Sequence, residues 1–128
     1  MERRDFIKKS AIGSSCALAE TLISGNVAAA ENSEDYICKI TVLKKTLNTK
    51  WNNEFRGNEG AKCPVFSEGQ EFMVQSPWPA PEGFCHWAWA DIRTFIHLVQ
   101  EGRFENFVSC CTDGFRPVFF RIERIPKT

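Results

Sequence analysis

The sequence predicts a single small α+β domain, built on a mainly antiparallel sheet, open or curled toward a small barrel, with two helices. Three features predict it. Short β-branched segments carry apolar residues at every second position, one longer segment carries them at a three-to-four spacing, and an Asp-Gly pair separates two β-rich runs near the end of the chain.

Taken in order, Ile37 to Leu43 alternates Cys38, Ile40 and Val42 on one face with Lys39 and Thr41 on the other, which predicts a first strand. Leu47, Trp51 and Phe55 then recur at every fourth position, with Thr46 as cap and Gly57 as stop, so a short helix is expected. After a polar loop from Asn58 to Lys62, Cys63-Pro64-Val65-Phe66, the turn Ser67-Glu68-Gly69 and Phe72-Met73-Val74 predict a strand or tight hairpin. Pro64 lacks a ladder donor and belongs at an edge or entry position. Pro77-Trp78-Pro79-Ala80-Pro81 is a stiff, non-helical connector, because each proline pushes its predecessor toward extended geometry. From His86 to Glu101, Ala88, Ile92, Phe95, Ile96 and Val99 form one apolar stripe. Arg93, Thr94, His97, Gln100 and Glu101 lie across the cylinder, and Gly102 ends this second helix. Phe107 to Thr112 and Pro117 to Ile125 form a closing hairpin around Asp113-Gly114, with Val118, Phe120 and Ile122 inward and Arg121, Glu123 and Arg124 mostly outward.

Sixteen basic residues balance sixteen acidic ones over 128 residues, with no long basic stripe. A nucleic-acid partner is therefore not expected. At the start of the chain Arg3-Arg4-Asp5-Phe6-Ile7-Lys8 resembles a twin-arginine export signal, followed by small and apolar residues that end on Val27-Ala28-Ala29-Ala30. The expected organisation is a signal over 1–30, cleaved before Glu31, and a domain over 31–128 delivered to the periplasm or cell exterior. Glu20 splits the leader into two runs, each half the roughly 20 residues that a spanning helix requires. No membrane span should remain after cleavage. Lipidation at Cys16 is the weaker reading, because Gly13-Ser14-Ser15 leaves little apolar chain before it. The mature domain keeps twelve basic and thirteen acidic groups. It is long enough for one core without obligatory staples.

Four blocks carry a family resemblance: Cys38-Lys39-Ile40-Thr41-Val42; Cys63-Pro64-Val65-Phe66 with Glu68-Gly69-Gln70-Glu71-Phe72; Gly83-Phe84-Cys85-His86-Trp87-Ala88-Trp89-Ala90-Asp91-Ile92; and Cys110-Cys111-Thr112-Asp113-Gly114-Phe115-Arg116-Pro117-Val118. Over residues 36 to 125 the chain resembles a group of short cysteine-containing proteins of unassigned function, met mostly in anaerobic bacteria and archaea. The resemblance implies no activity. The leader departs from that group's usual leaderless form.

The mature cysteines are Cys38, Cys63, Cys85, Cys110 and Cys111, without the paired spacing of a zinc ribbon. Cys85 precedes the longer helix, where unpaired amides and the macrodipole favour a thiolate. Cys110 and Cys111 would point to opposite faces of a strand, so one of them joins an inward cluster. Four thiolates, with His86 as a substitute for one, would suit zinc, iron or an iron-sulfur cluster. Export through the twin-arginine route carries folded proteins, which would allow a metal to be loaded first.

The first functional expectation is thus an exported thiolate metal-binding or redox accessory protein, with Cys38, Cys63, Cys85, Cys110, Cys111 and His86 as candidate ligands. The second is a disulfide-stapled binding module, since an exported protein with five cysteines can form two bridges and leave one thiol. The third, less favoured, is a cysteine-nucleophile enzyme in which Asp91 orients His86 beside Cys85. Trp78, Phe84, Trp87 and Trp89 gather near the helix entry and form either core or a surface for a protein partner or small ligand. His97 is expected to be solvated, and Arg116 to meet an anion or a thiolate.

Overall fold

The computed structural model describes residues 33–57, 60–75 and 78–128, and its framework is one four-stranded antiparallel sheet with two helices. The expected leader over 1–30, Cys16, the cleavage point, Asn58, Glu59 and Pro77 lie outside the described residues. Strand β1 (Tyr36–Lys45) is followed by helix α1 (Thr49–Arg56), strand β2 (Glu71–Val74), helix α2 (His86–Gln100) and strands β3 (Asn106–Cys110) and β4 (Val118–Pro126). The sheet order is β2-β1-β4-β3. With β2 and β3 as free edges, the sheet is open, not a closed barrel.

Alternation on the strands sets the register. Ile40 stands opposite both Ile122 of β4 and Phe72 of β2, and Val42 stands opposite Phe120. A one-residue slip would turn these buried side chains to the other face, so the core pins the pairing. Cys38, Ile40, Val42, Val118, Phe120 and Ile122 are buried on the inner face. Helix α2 packs over that face, against β1, β3 and β4. It buries Ala88, Ile92, Ile96 and Val99, the stripe that the spacing predicts. The opposite face of the sheet is held by charge, with Lys39 Nζ 3.4 Å from both Glu71 and Glu123 and Arg121 paired to Glu123.

Several sequence expectations are corrected. Asn48, not Thr46, caps α1: its Oδ1 accepts from the Trp51 amide at 3.3 Å, while the Thr46 hydroxyl donates to the Pro117 carbonyl at 2.8 Å. The stop at Gly57 stands, with φ of 69° in the left-handed region that glycine enters without steric cost. Cys63 to Phe66 forms no strand. Phe66 instead drops into the core, with ring centroids 5.0 Å from Phe84 and 5.1 Å from Phe120. Gln100 is buried, its amide donating to the Val74 carbonyl at 3.3 Å. A polar side chain can enter a core where a strand end leaves a carbonyl to be satisfied. Glu123 and Arg124 are half-buried, with Arg124 lying over the Tyr36 ring. Among the described residues no helix is long and apolar enough to cross a membrane.

Candidate functional site: a pocket shared by three cysteines

Four chain segments meet at one end of the sheet and enclose a cavity of about 720 Å³. That is within the range of small-molecule pockets. The end of α1 contributes Phe55 and Arg56, and the following loop Cys63 and Val65. The start of α2 adds Cys85, Trp87 and Ala88. The connection from β3 to β4 supplies the last wall, from Cys111 through Arg116.

Hydrogen bonds fix these walls to one another. The amides of Thr46 and Asn48, just before α1, donate to the carbonyls of Pro117 and Phe115 at 3.0 and 2.7 Å. On the other side the Trp87 indole donates to the Thr112 hydroxyl at 2.9 Å, and the Thr112 amide donates to Asp91 Oδ2 at 2.8 Å. The Thr112 hydroxyl in turn donates to the same carboxylate at 3.1 Å. Helix α2 is thereby tied to the β3–β4 connection. Asp91 is engaged by Thr112, not by an imidazole, so the expected Cys85/His86/Asp91 arrangement does not form.

The β3–β4 connection is shaped by Asp113. Its Oδ1 accepts the amides of Phe115 and Arg116 at 3.0 and 3.3 Å, and its Oδ2 meets Arg116 Nε at 3.0 Å. Burial pushes this carboxyl up, but the Arg116 guanidinium and the two amides outweigh it and hold the group below its ordinary value. The Asp-Gly turn predicted from sequence is therefore a longer loop organised around one ionised carboxylate. Arg116 is committed to it.

The cysteines separate into three environments. Cys63 and Cys85 are half-buried, and Cys111 is buried, with its sulfur accepting the Val118 amide at 3.4 Å. These three face the same cavity. Cys85 is the residue before the first turn of α2 and makes no side-chain capping bond. Cys38 lies elsewhere, beneath α2, where its thiol donates to the Ile96 carbonyl at 3.4 Å. Burial pushes the Cys38 thiol up to about 12, with Arg124 pulling weakly the other way. Cys110 is exposed, on the face opposite its neighbour Cys111, as strand alternation requires. His86 is exposed and does not line the cavity, and His97 pairs with Glu101 at 3.1 Å on the solvent side of α2. All five described cysteines are free thiols. Among the described residues no group of three or more His, Cys, Asp or Glu side chains is arranged to hold a metal ion.

No family model, curated protein or solved structure matches the chain.

The aromatic residues near the α2 entry divide between core and surface. Phe84 and Trp89 are buried, with ring centroids 5.6 Å apart. Trp87 is 66% exposed at the cavity rim, together with Phe55 at 68%. Trp78 is also exposed, under the Arg93 guanidinium at 4.4 Å, beside a smaller hollow of about 250 Å³. Phe55 and Arg56 are site residues that sequence spacing alone does not identify. The available signal was the short α1 helix itself: its apolar positions Trp51 and Phe55 are exposed, and its buried residue is Asn52.

Proposed function

We propose that the protein is an exported thiol-based redox accessory protein that works through the pocket holding Cys63, Cys85 and Cys111. One observation carries this reading: three cysteines from three separate chain segments line a single cavity whose walls are cross-linked by hydrogen bonds. Dithiol chemistry requires two thiols in one solvent-reachable place, with a third group of contacts to hold the partner molecule. Cys38 does not belong to this chemistry. Its buried thiol, with a raised pKa, keeps its proton at neutral pH, and the thiolate is the reactive form.

Mild oxidation of the reduced protein by diamide, followed by peptide mapping, tests the proposal. The expected product is one bridge between two of Cys63, Cys85 and Cys111, with Cys38 unmodified. Bridges through Cys38, or no bridge within the chain, would overturn it.

A further inference from the structure

The pocket walls carry information about what the thiols would meet. Arg56 projects from the end of α1, with its guanidinium over the Phe115 ring at 5.1 Å. Among the described residues it forms no ion pair, whereas Arg116 is occupied by Asp113. Asp113 is the one carboxylate among the described residues of the lining, and it is spent on Arg116 and the two amides of its own loop. Among the described residues the cavity therefore has one cation uncommitted and no carboxylate left over. Trp87 and Phe55 leave flat apolar surface exposed on the rim. A planar apolar body with a negative group satisfies all of these at once.

We infer that the pocket selects aromatic disulfides bearing a carboxylate, an inference that rests on the redox reading above. The carboxylate meets the Arg56 guanidinium, and the aromatic body lies against Trp87. Cys85, half-buried and beside Trp87, is the entering thiol. As a thiolate it attacks one sulfur of the bound disulfide, the sulfur-sulfur bond of the ligand breaks, and an aryl thiolate leaves. The thiolate of Cys63 or Cys111 then attacks the Cys85 sulfur of the mixed disulfide and expels the second aryl thiolate. In balance, two protein thiols lose two electrons and two protons and become one disulfide. The ligand disulfide takes up the two electrons to give two aryl thiolates, and the protons pass to solvent or to those thiolates.

The test uses the reduced full chain in a Cys16→Ser, Cys110→Ser background, which removes the exposed Cys110 thiol and the Cys16 thiol that lies outside the described residues. Three probes are compared: the dianionic aromatic dithiobis(nitrobenzoate), the neutral aromatic dithiodipyridine and the cationic aliphatic cystamine. Each rate is divided by the rate of the same probe with 2-mercaptoethanol, a thiol with no other charged group, which cancels intrinsic leaving-group reactivity. The dianionic probe should exceed cystamine by about tenfold or more, and the neutral aromatic should fall between them. Arg56→Gln should reduce the tenfold preference to about threefold or less, while Lys50→Gln, which removes the same charge from the same helix outside the pocket, should leave it in place. Two aryl thiolates should be released for each internal disulfide found by peptide mapping. Equal normalised rates, or an unchanged preference in Arg56→Gln, would sink the ligand class while leaving the redox reading intact. Failure of every probe to generate an internal pocket disulfide would defeat both. Arg56 is exposed, so its variant keeps the test independent of any folding defect caused by replacing a cysteine.

Discussion

Cys38 provides a quantitative check on the division between structural and reactive thiols. Its side chain is fully buried, bonded to the Ile96 carbonyl, and its pKa rises from 9.0 to about 12. In the unfolded chain the thiol ionises near the ordinary value, while in the folded chain it holds its proton until about 12. Below pH 9 both states are protonated and nothing is lost. As pH rises above 9 the unfolded state gives up a proton that the folded state retains, so stability falls across the window from 9.0 to about 12. At about 1.4 kcal/mol per unit, the loss is about 1 kcal/mol by pH 10 and about 3 kcal/mol by pH 11. Cys38→Ala removes this contribution, at the cost of a small cavity that does not depend on pH. Urea unfolding of both proteins, with a phosphine reductant present, would be followed from pH 8 to 11. Subtracting the variant from the wild type cancels the lysines, the tyrosine and the other cysteines. The difference should decline at the slope given above. A difference that stays flat across the window would refute the claim that Cys38 is a protonated core residue, and would return it to the list of reactive thiols.

Other consequences concern the clamp, the core and the turn. Asp91→Ala removes the acceptor for the Thr112 amide and hydroxyl. It should cost about 1–2 kcal/mol, seen as a drop of about 5 °C or more in the thermal midpoint, and should speed alkylation of Cys111 as the β3–β4 connection loosens. Ile96→Ala, at a fully buried position of α2, should cost about 2–5 kcal/mol in urea unfolding, with no change in the preference among disulfide probes if the domain still folds. Because Asp113 titrates below its ordinary value, its contribution is present above that value and is lost as pH falls through the folded one. Asp113→Asn should accordingly flatten the acid limb of a stability-against-pH profile measured by circular dichroism, and an unchanged limb would contradict the turn described above.

Much of the architecture was legible because local pattern and tertiary burial agree. Cys38, Ile40 and Val42 alternate in sequence and are all buried in β1. The stripe from Ala88 to Val99 is the buried face of α2, and Gly102 follows its end with φ of 76°. Errors arose where a side chain's role depends on a partner distant in sequence. Gln100 sits at a polar position of the helical wheel, yet Val74 offers it a carbonyl from another element. Thr46 has the chemistry of a cap, but Pro117 takes its hydroxyl and Asn48 does the capping. Phe66 has a strand-like neighbourhood, but Pro64 supplies no amide to a ladder, and the ring's place is set by Phe84 and Phe120.

The amino-acid order by itself determined the α+β class, the strand faces, the long helix and the opposed directions of Cys110 and Cys111. Each follows from a two-residue or near four-residue period acting over a short stretch. Which sulfurs share a space was decided only in three dimensions. Cys63, Cys85 and Cys111 come together because a loop, a helix start and a strand exit meet at one end of the packed sheet, whereas Cys38 is carried under α2 by the register of β1. Backbone periodicity fixes the direction of a side chain, and it carries no information about distance between segments. That distance is set by how the apolar faces of sheet and helix bury one another.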